Sequence, residues 1–202
     1  MGNCQKYKPT YILIIINVVV FIYSAVIIGS GFYTDENFIY QWGQVGVLVY
    51  DGAYYQLFTS MFVHANLLHI AGNMIFLLIF GLRGEELFSL PEFLLVYLGG
   101  GLVGNLLSLV FLGLYTPSVG ASGAIFAMFG GATIYARRTL GQSILGALIY
   151  AFFLLFISYG QNVNIFAHLG GLGAGLLIGY VLSIWRRPKT QYSVSYSYGS
   201  RS

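Results

Sequence analysis

Apolar residues run along the chain in long blocks separated by short polar or glycine-rich breaks. A bilayer crossing takes about 20 predominantly apolar residues. By that measure the pattern predicts six helices, over residues 11–30, 60–82, 91–113, 118–136, 141–159 and 164–185. The fourth has the least apolar interior. Thr116-Pro117-Ser118 marks its start, Arg137-Arg138 its end, and Gly and Ala fill the space between. Residues 186–202, rich in Ser and Tyr without apolar periodicity, read as a disordered tail.

Composition agrees with a lipid surrounding. Of 202 residues 57% are hydrophobic and 7% charged, against about 25% charged in a soluble domain. The expected fold is an all-α polytopic membrane protein, a six-helix bundle in which residues 1–185 form one membrane domain and leave no room for a soluble one. The cations then orient it. Lys6 and Lys8 precede the first span, Arg83 follows the second, Arg137 and Arg138 the fourth, and Arg186, Arg187, Lys189 and Arg201 the sixth. Loops 31–59, 114–117 and 160–163 have none. The positive-inside rule therefore puts both termini in the cytoplasm of a cell-membrane protein.

Loop 31–59 carries Phe32, Phe38, Tyr40, Trp42, Tyr50, Tyr54 and Tyr55, a content that suits the outer headgroup layer. The net charge of +3 is scattered in ones and twos, which excludes a nucleic-acid surface. A lone Cys4 forms no internal disulfide. Lys6 stands where a myristoylation motif wants Ser or Thr, and the first apolar block is longer than a signal-peptide core, so it reads as a retained span.

Polar groups inside lipid are costly and mark function. Notable among those within the predicted spans are His64, His69 and Asn73 in the second, Ser122 at the head of the fourth, and His168 early in the sixth. With a rise of 1.5 Å per residue, His69 lies about 13 Å, Ser122 roughly 6 to 9 Å and His168 about 6 to 10 Å below the outer helix ends. His69 and Asn73, four apart, share a face, whereas His64 and His69, five apart, point roughly 140° from each other on a continuous helix. His168 is followed by Gly171, Gly175 and Gly179, and the fourth helix offers Ser122, Gly123, Ala127, Gly130 and Gly131. Two such small-residue ridges allow close backbone approach. Packed together, they would bring the serine hydroxyl within reach of an imidazole base.

Gly120-Ala121-Ser122-Gly123-Ala124 is not the nucleophile elbow of the α/β-hydrolases, because Ala124 replaces the second Gly. At a helix start, however, free N–H groups favour an oxyanion, and Asn73 and His69 could add donors. The aspartates Asp35 and Asp51 both belong to loop 31–59. A Ser-His dyad is therefore expected, needing neither metal nor cofactor.

These residues resemble the rhomboid family of intramembrane serine proteases in its minimal six-helix form, from the first span to about Trp185. The resemblance rests on Gly120-Ala121-Ser122-Gly123, on Ala167-His168 with Gly171 and Gly175, and on His64, His69 and Asn73, in the right order and spans. It implies that Ser122 is the nucleophile and His168 the general base. It also implies an oxyanion hole of Asn73, His69 and the Ser122 amide, with His64 as a structural or supporting residue. Phe126 takes the place of an aromatic that packs on the catalytic imidazole, and Phe80-Gly81 and Glu85 fit the family pattern. Substrates would be transmembrane helices, chiefly of single-span proteins, cut near the outer leaflet. One departure is Tyr55-Gln56 where many members carry Trp-Arg; the loss of a cation implies a loop held differently.

Other readings exist for each residue singly. A Ser at a helix start is most often a cap, a buried His a packing residue, and a glycine ridge a packing surface. None explains why Ser, His and Asn share one depth. A rhomboid-like protein that binds membrane clients without cutting them is the alternative, against which the retained Ser122 and His168 speak. A haem site could use only the His69 and His168 pair, and transport would want an intramembrane carboxylate or an inverted repeat. Phe152, Phe153 and Phe156 read as lipid-facing, and Gln161, Asn162 and Asn164 as loop polarity beside the sixth helix that could wet the site.

Overall fold

A computed structural model describes residues 8–141, 143, 145–146 and 164–186. The expected fifth span lies outside the described residues except for Gly141, Ser143, Leu145 and Gly146, as does the tail beyond Arg186. Among the described residues the elements are helices and turns, with two isolated antiparallel bridges. Helix α1 (Pro9–Phe21) runs on as a π-helical turn (Ile22–Ile27). Short helices α2 (Glu36–Trp42), α3 (Gly46–Tyr50) and α4 (Gln56–Thr59) follow, then α5 (Leu67–Leu87). Helix α6 (Leu90–Leu94) continues through a π-helical turn (Leu95–Gly99) into α7 (Gly100–Phe111), and α8 (Ser122–Leu140) and α9 (Ile165–Trp185) complete the set.

Among the described residues, four stretches are long and apolar enough to cross a membrane: Pro9–Ile27, Leu67–Leu87, Leu90–Phe111 and Ile165–Trp185. Their outward faces carry exposed Ile12, Ile15, Val19, Ile75, Val110 and Leu177. Helix α8 is outside that set because its glycines and its terminal Arg137 and Arg138 lower its hydropathy. It has little need of apolar bulk. Every residue from 123 to 132 is buried, so α8 meets other helices and forms the centre of the bundle. It ends at Gly141, whose φ of +68° makes a left-handed stop.

Glycine sets how closely this centre packs. A Cβ on Gly171, Gly175 or Gly179 of α9 would overlap the carbonyl oxygen of Gly123, Ala127 or Gly131 of α8. On the other flank, a Cβ on Gly104 of α7 would come within 2.5 Å of the Ala167 oxygen. Between apolar helices in lipid, such close van der Waals packing supplies the association that the hydrophobic effect supplies in water.

Polar ties close the ends. Glu85 Oε1 accepts the Thr10 N–H at 2.9 Å, joining the start of α1 to the end of α5. Arg186, just past α9, donates to Glu92, to the Leu87 oxygen (2.7 Å) and to the Tyr135 hydroxyl (3.1 Å).

The second predicted span needs correcting. It is not one helix over residues 60–82: Ser60–Phe62 is a 3₁₀ turn, Val63 and Asn66 are extended, and the helix runs from Leu67 to Leu87. Asn66 causes the break, its side chain accepting the His69 N–H at 2.9 Å as an N-cap. Loop 31–59 holds the extended segment, with Leu67 N–H donating to the Phe32 oxygen and Thr34 N–H to the Ala65 oxygen, each at 3.0 Å. His64 therefore lies outside the helix, and the 140° separation from His69 does not apply. The fourth helix likewise starts at Ser122 rather than at residue 118, because Ser118 exchanges two backbone bonds with Gln44 (2.8 and 2.9 Å).

The loop is held without a cation, through Gln56. Gln56 is fully buried, accepts the Val45 N–H at 3.0 Å, and donates to the Tyr40 and Gln41 oxygens at 3.0 and 3.2 Å. Tyr55 donates to the Gln41 oxygen (3.1 Å) and packs edge-on against Trp42. Phe32, Tyr50 and Tyr54 face outward.

Candidate active site

Ser122 is the first residue of α8, where N–H groups have no acceptor within their own helix. Its Oγ lies 2.7 Å from His168 Nε2. The imidazole is buried and stacks on Phe126, one turn into α8, with ring centroids 4.6 Å apart and planes at 23°. His168 Nδ1 has no hydrogen-bond partner among the described residues. The ring is thus oriented by its helix, by Phe126 and by Ser122, with no carboxylate behind it. A hydroxyl on an imidazole nitrogen at this distance can pass its proton to that nitrogen as the oxygen attacks an electrophile.

The backbone before Ser122 is pinned residue by residue. Gly120 N–H donates to the Ser60 oxygen at 2.9 Å, and Ala121 N–H points at His64 Nε2 at 3.4 Å. Gly120 has a φ of +121°, and a Cβ there would lie 2.8 Å from His69 Nε2. His64 and His69 meet edge to face at 5.2 Å. Fully buried His64 thus supports the turn, while half-buried His69 lines the space beside Ser122. Asn73, one turn below His69, donates one N–H to the His69 oxygen at 2.9 Å. A carboxamide has a second N–H to offer.

These side chains line a cavity of about 900 Å³, together with Asn105, Thr116, Ser118, Asn164 and Phe129. The structure therefore brings Ser122, His168, His69, Asn73, Phe126 and Gly120 around one space. Gly123, Gly171 and Gly175 lie beneath it as packing contacts, and His64 sits behind the turn. A second cavity of about 870 Å³, between α1 and the loop, holds none of them.

Residues not singled out as site residues also belong here. Ser108, Ser118 and Gln44 connect α7, the turn and the loop, and Asn164 caps α9. Asn164 has a sequence signal, an Asn directly before an apolar run. The two serines have none, since their partners are distant in sequence.

Comparison with known proteins gives the same direction. The family model for the Rhomboid domain matches residues 51–185. The chain is 34% identical over 154 residues to RHOMBOID-like protein 1 of Arabidopsis thaliana, covering 73% of this chain and 39% of that protein. It is 34% identical over 156 residues to RHOMBOID-like protein 6, mitochondrial, of the same plant, covering 73% and 50%. With Rhomboid protease GluP of Bacillus subtilis (strain 168) it shares 28% over 186 residues, covering 89% and 36%. It spans half or less of the length of these relatives.

Proposed function

The chain belongs to the rhomboid family, and from that premise we propose that it is an intramembrane serine endopeptidase working through a Ser122–His168 dyad. The observation that carries this reading is the 2.7 Å contact between Ser122 Oγ and His168 Nε2, made at a helix start and in the wall of a cavity. His168 Nε2 takes the hydroxyl proton while Oγ attacks a peptide carbonyl. The carbonyl oxygen becomes an oxyanion, stabilised by the Ser122 N–H, the free N–H of Asn73 and the imidazole of His69. Collapse breaks the C–N bond, the leaving amine takes the proton from His168, and an acyl-enzyme on Ser122 remains. Water attacks the ester, giving a proton to His168 and then to Ser122, and releases the acid.

In this reading the substrates are transmembrane helices with a locally unstable, small-residue segment near the outer leaflet, because an intact helix keeps its carbonyls in its own hydrogen bonds. Residues 1–185 form a six-span domain of the cell membrane, with the fifth span over 141–159, both termini in the cytoplasm and 186–202 as a tail. The distribution of the nine Lys and Arg residues supports that orientation. His64 acts as a support for the turn.

The test is cleavage of a panel of single-span substrates by protein reconstituted in liposomes, wild type against Ser122→Ala, with cut sites mapped by mass spectrometry. Cleavage that persists in Ser122→Ala ends this mechanism. A folded wild type that neither cuts nor reacts with a fluorophosphonate would be a client-binding protein instead.

A further inference from the structure

Resting on the dyad reading, we propose that Asn164 is a positioning residue whose carboxamide clamps the start of α9 to the turn before Ser122 and so sets the Ser122–His168 distance. Three bonds carry this. Asn164 Oδ1 accepts the Ala167 N–H at 3.2 Å, capping α9; Nδ2 donates to Ser118 Oγ at 2.7 Å and also to Ser108 Oγ. A helix cap needs only the oxygen. The amide nitrogen does something else: it ties the capped helix to hydroxyls on two other segments, α7 and the turn.

The spacing gives those bonds a purpose. Ser118 lies four residues before Ser122, and Asn164 lies four before His168. The Asn164–Ser118 bond therefore repeats the His168–Ser122 bond at the same interval upstream on both segments. On the opposite side of the dyad, Gly171, Gly175 and Gly179 press α9 against the backbone of α8. Two helices held along one stretch can still splay at the free end. The dyad sits near that end, between the glycine ridge and the clamp, where the clamp adds side-chain bonds to the close backbone approach of Ala167 to Gly104 and Gly123.

Its anchors are themselves fixed. Ser118 exchanges two backbone bonds with Gln44. Ser108 is fully buried on α7, one turn after Gly104, where a Cβ would come within 2.5 Å of the Ala167 oxygen. A shift of 1 Å between reacting groups can cost about 100-fold in rate, so loss of the clamp should slow acylation without changing how a small reagent binds.

The test is saturation kinetics of fluorophosphonate labelling on the purified full-length chain in micelles, yielding kinact and KI. The Ser108→Ala/Ser118→Ala double variant removes both acceptors and leaves the cap. Its kinact is expected to fall at least tenfold with KI within twofold, in protein that melts within a few degrees of wild type. Ser118→Thr keeps the hydroxyl and is expected to retain kinact within threefold. Asn164→Ala, which also loses the cap, should fall at least as far and melt lower. If the double variant does not fold, each single serine variant should still lower kinact about threefold.

Wild-type kinact in the serine variants would overturn the clamp, and so would a fall that only tracks the folded fraction. Ser122→Ala separates the two failures. A labelled wild type with an unlabelled Ser122→Ala leaves the dyad standing while the clamp is judged. Equal labelling of both overturns the dyad and the clamp together.

Discussion

Gly171 lies against the carbonyl of Gly123 so closely that a Cβ on it would overlap the oxygen. The helices bearing Ser122 and His168 thus meet backbone to backbone one residue from the serine. Backbone cannot give way as a flexible side-chain tip can, so Gly171→Ala must push α9 off α8. Overpacking of this kind costs about 1–3 kcal/mol, occasionally more. Thermal unfolding in micelles should show that loss, and fluorophosphonate labelling should fall more than tenfold. Gly173 is the internal control, because a Cβ there meets nothing within 4 Å. Gly173→Ala should label like wild type and gain up to about 1 kcal/mol from helix propensity. Normal labelling of Gly171→Ala would show that the close approach does not set the dyad.

Asn73 tests the proposed oxyanion hole. One N–H is occupied by the His69 oxygen, leaving the other for a developing negative charge. Loss of a single such donor costs about 10²–10³ in kcat. Asn73→Ala should show that fall in steady-state cleavage with KM nearly unchanged, and should lose about 1 kcal/mol of stability with its hydrogen bond. Asn73→Asp, which turns a donor into an acceptor, should be no better. A variant with wild-type kcat would remove Asn73 from the chemistry.

What the sequence made legible was set by local pattern. The last helix was expected over 164–185 and runs Ile165–Trp185, because a continuous apolar block follows an Asn able to cap it. The glycines three, seven and eleven residues after His168 form one ridge, and that ridge lies on the α8 backbone. The break at Asn66 was hidden by apolar residues on both sides, Val63 before and Leu67 after, which made one block of two segments. Asn66 directly before Leu67 is the one local mark of it, as Asn164 is before the last helix; the extended backbone ahead of it is held by pairing with Phe32 and Thr34, some thirty residues upstream. Helices α2 to α4 were equally unreadable. They are short, and buried polar partners such as Gln56 and Gln44 hold them through contacts that no periodicity records.

Gly120 meets two constraints at once. Its φ of +121° is strained for any residue with a Cβ, and the Cβ itself would press on His69 Nε2 at 2.8 Å. Backbone strain of this sort costs about 1–3 kcal/mol. Gly120→Ala should therefore unfold at lower temperature and label slowly, since both the His69 ring and the Ser122 N–H must move. Adding His69→Ala relieves the steric contact but not the strain. The double variant should regain part of the lost stability and none of the labelling rate. Full recovery of stability would show that the ring contact alone mattered.

Gln56 distinguishes what this loop needs from what its family pattern supplies. Its buried carboxamide accepts from Val45 and donates to Tyr40 and Gln41. Gln56→Leu leaves the Val45 N–H without an acceptor, at a cost of about 1–3 kcal/mol for the orphaned group, and frees both carbonyls. Melting temperature should fall, and protease should nick loop 31–59 sooner. The informative substitution is Gln56→Arg, which restores the residue many family members carry at this position. An arginine can donate to the two carbonyls but has nothing to offer the Val45 N–H, and it brings a charge into a site built for a neutral group. It should therefore be less stable than wild type, and no more protease-resistant than Gln56→Leu. An arginine variant as stable as wild type would mean that the acceptor to Val45 is dispensable and that the two donor bonds alone hold the loop.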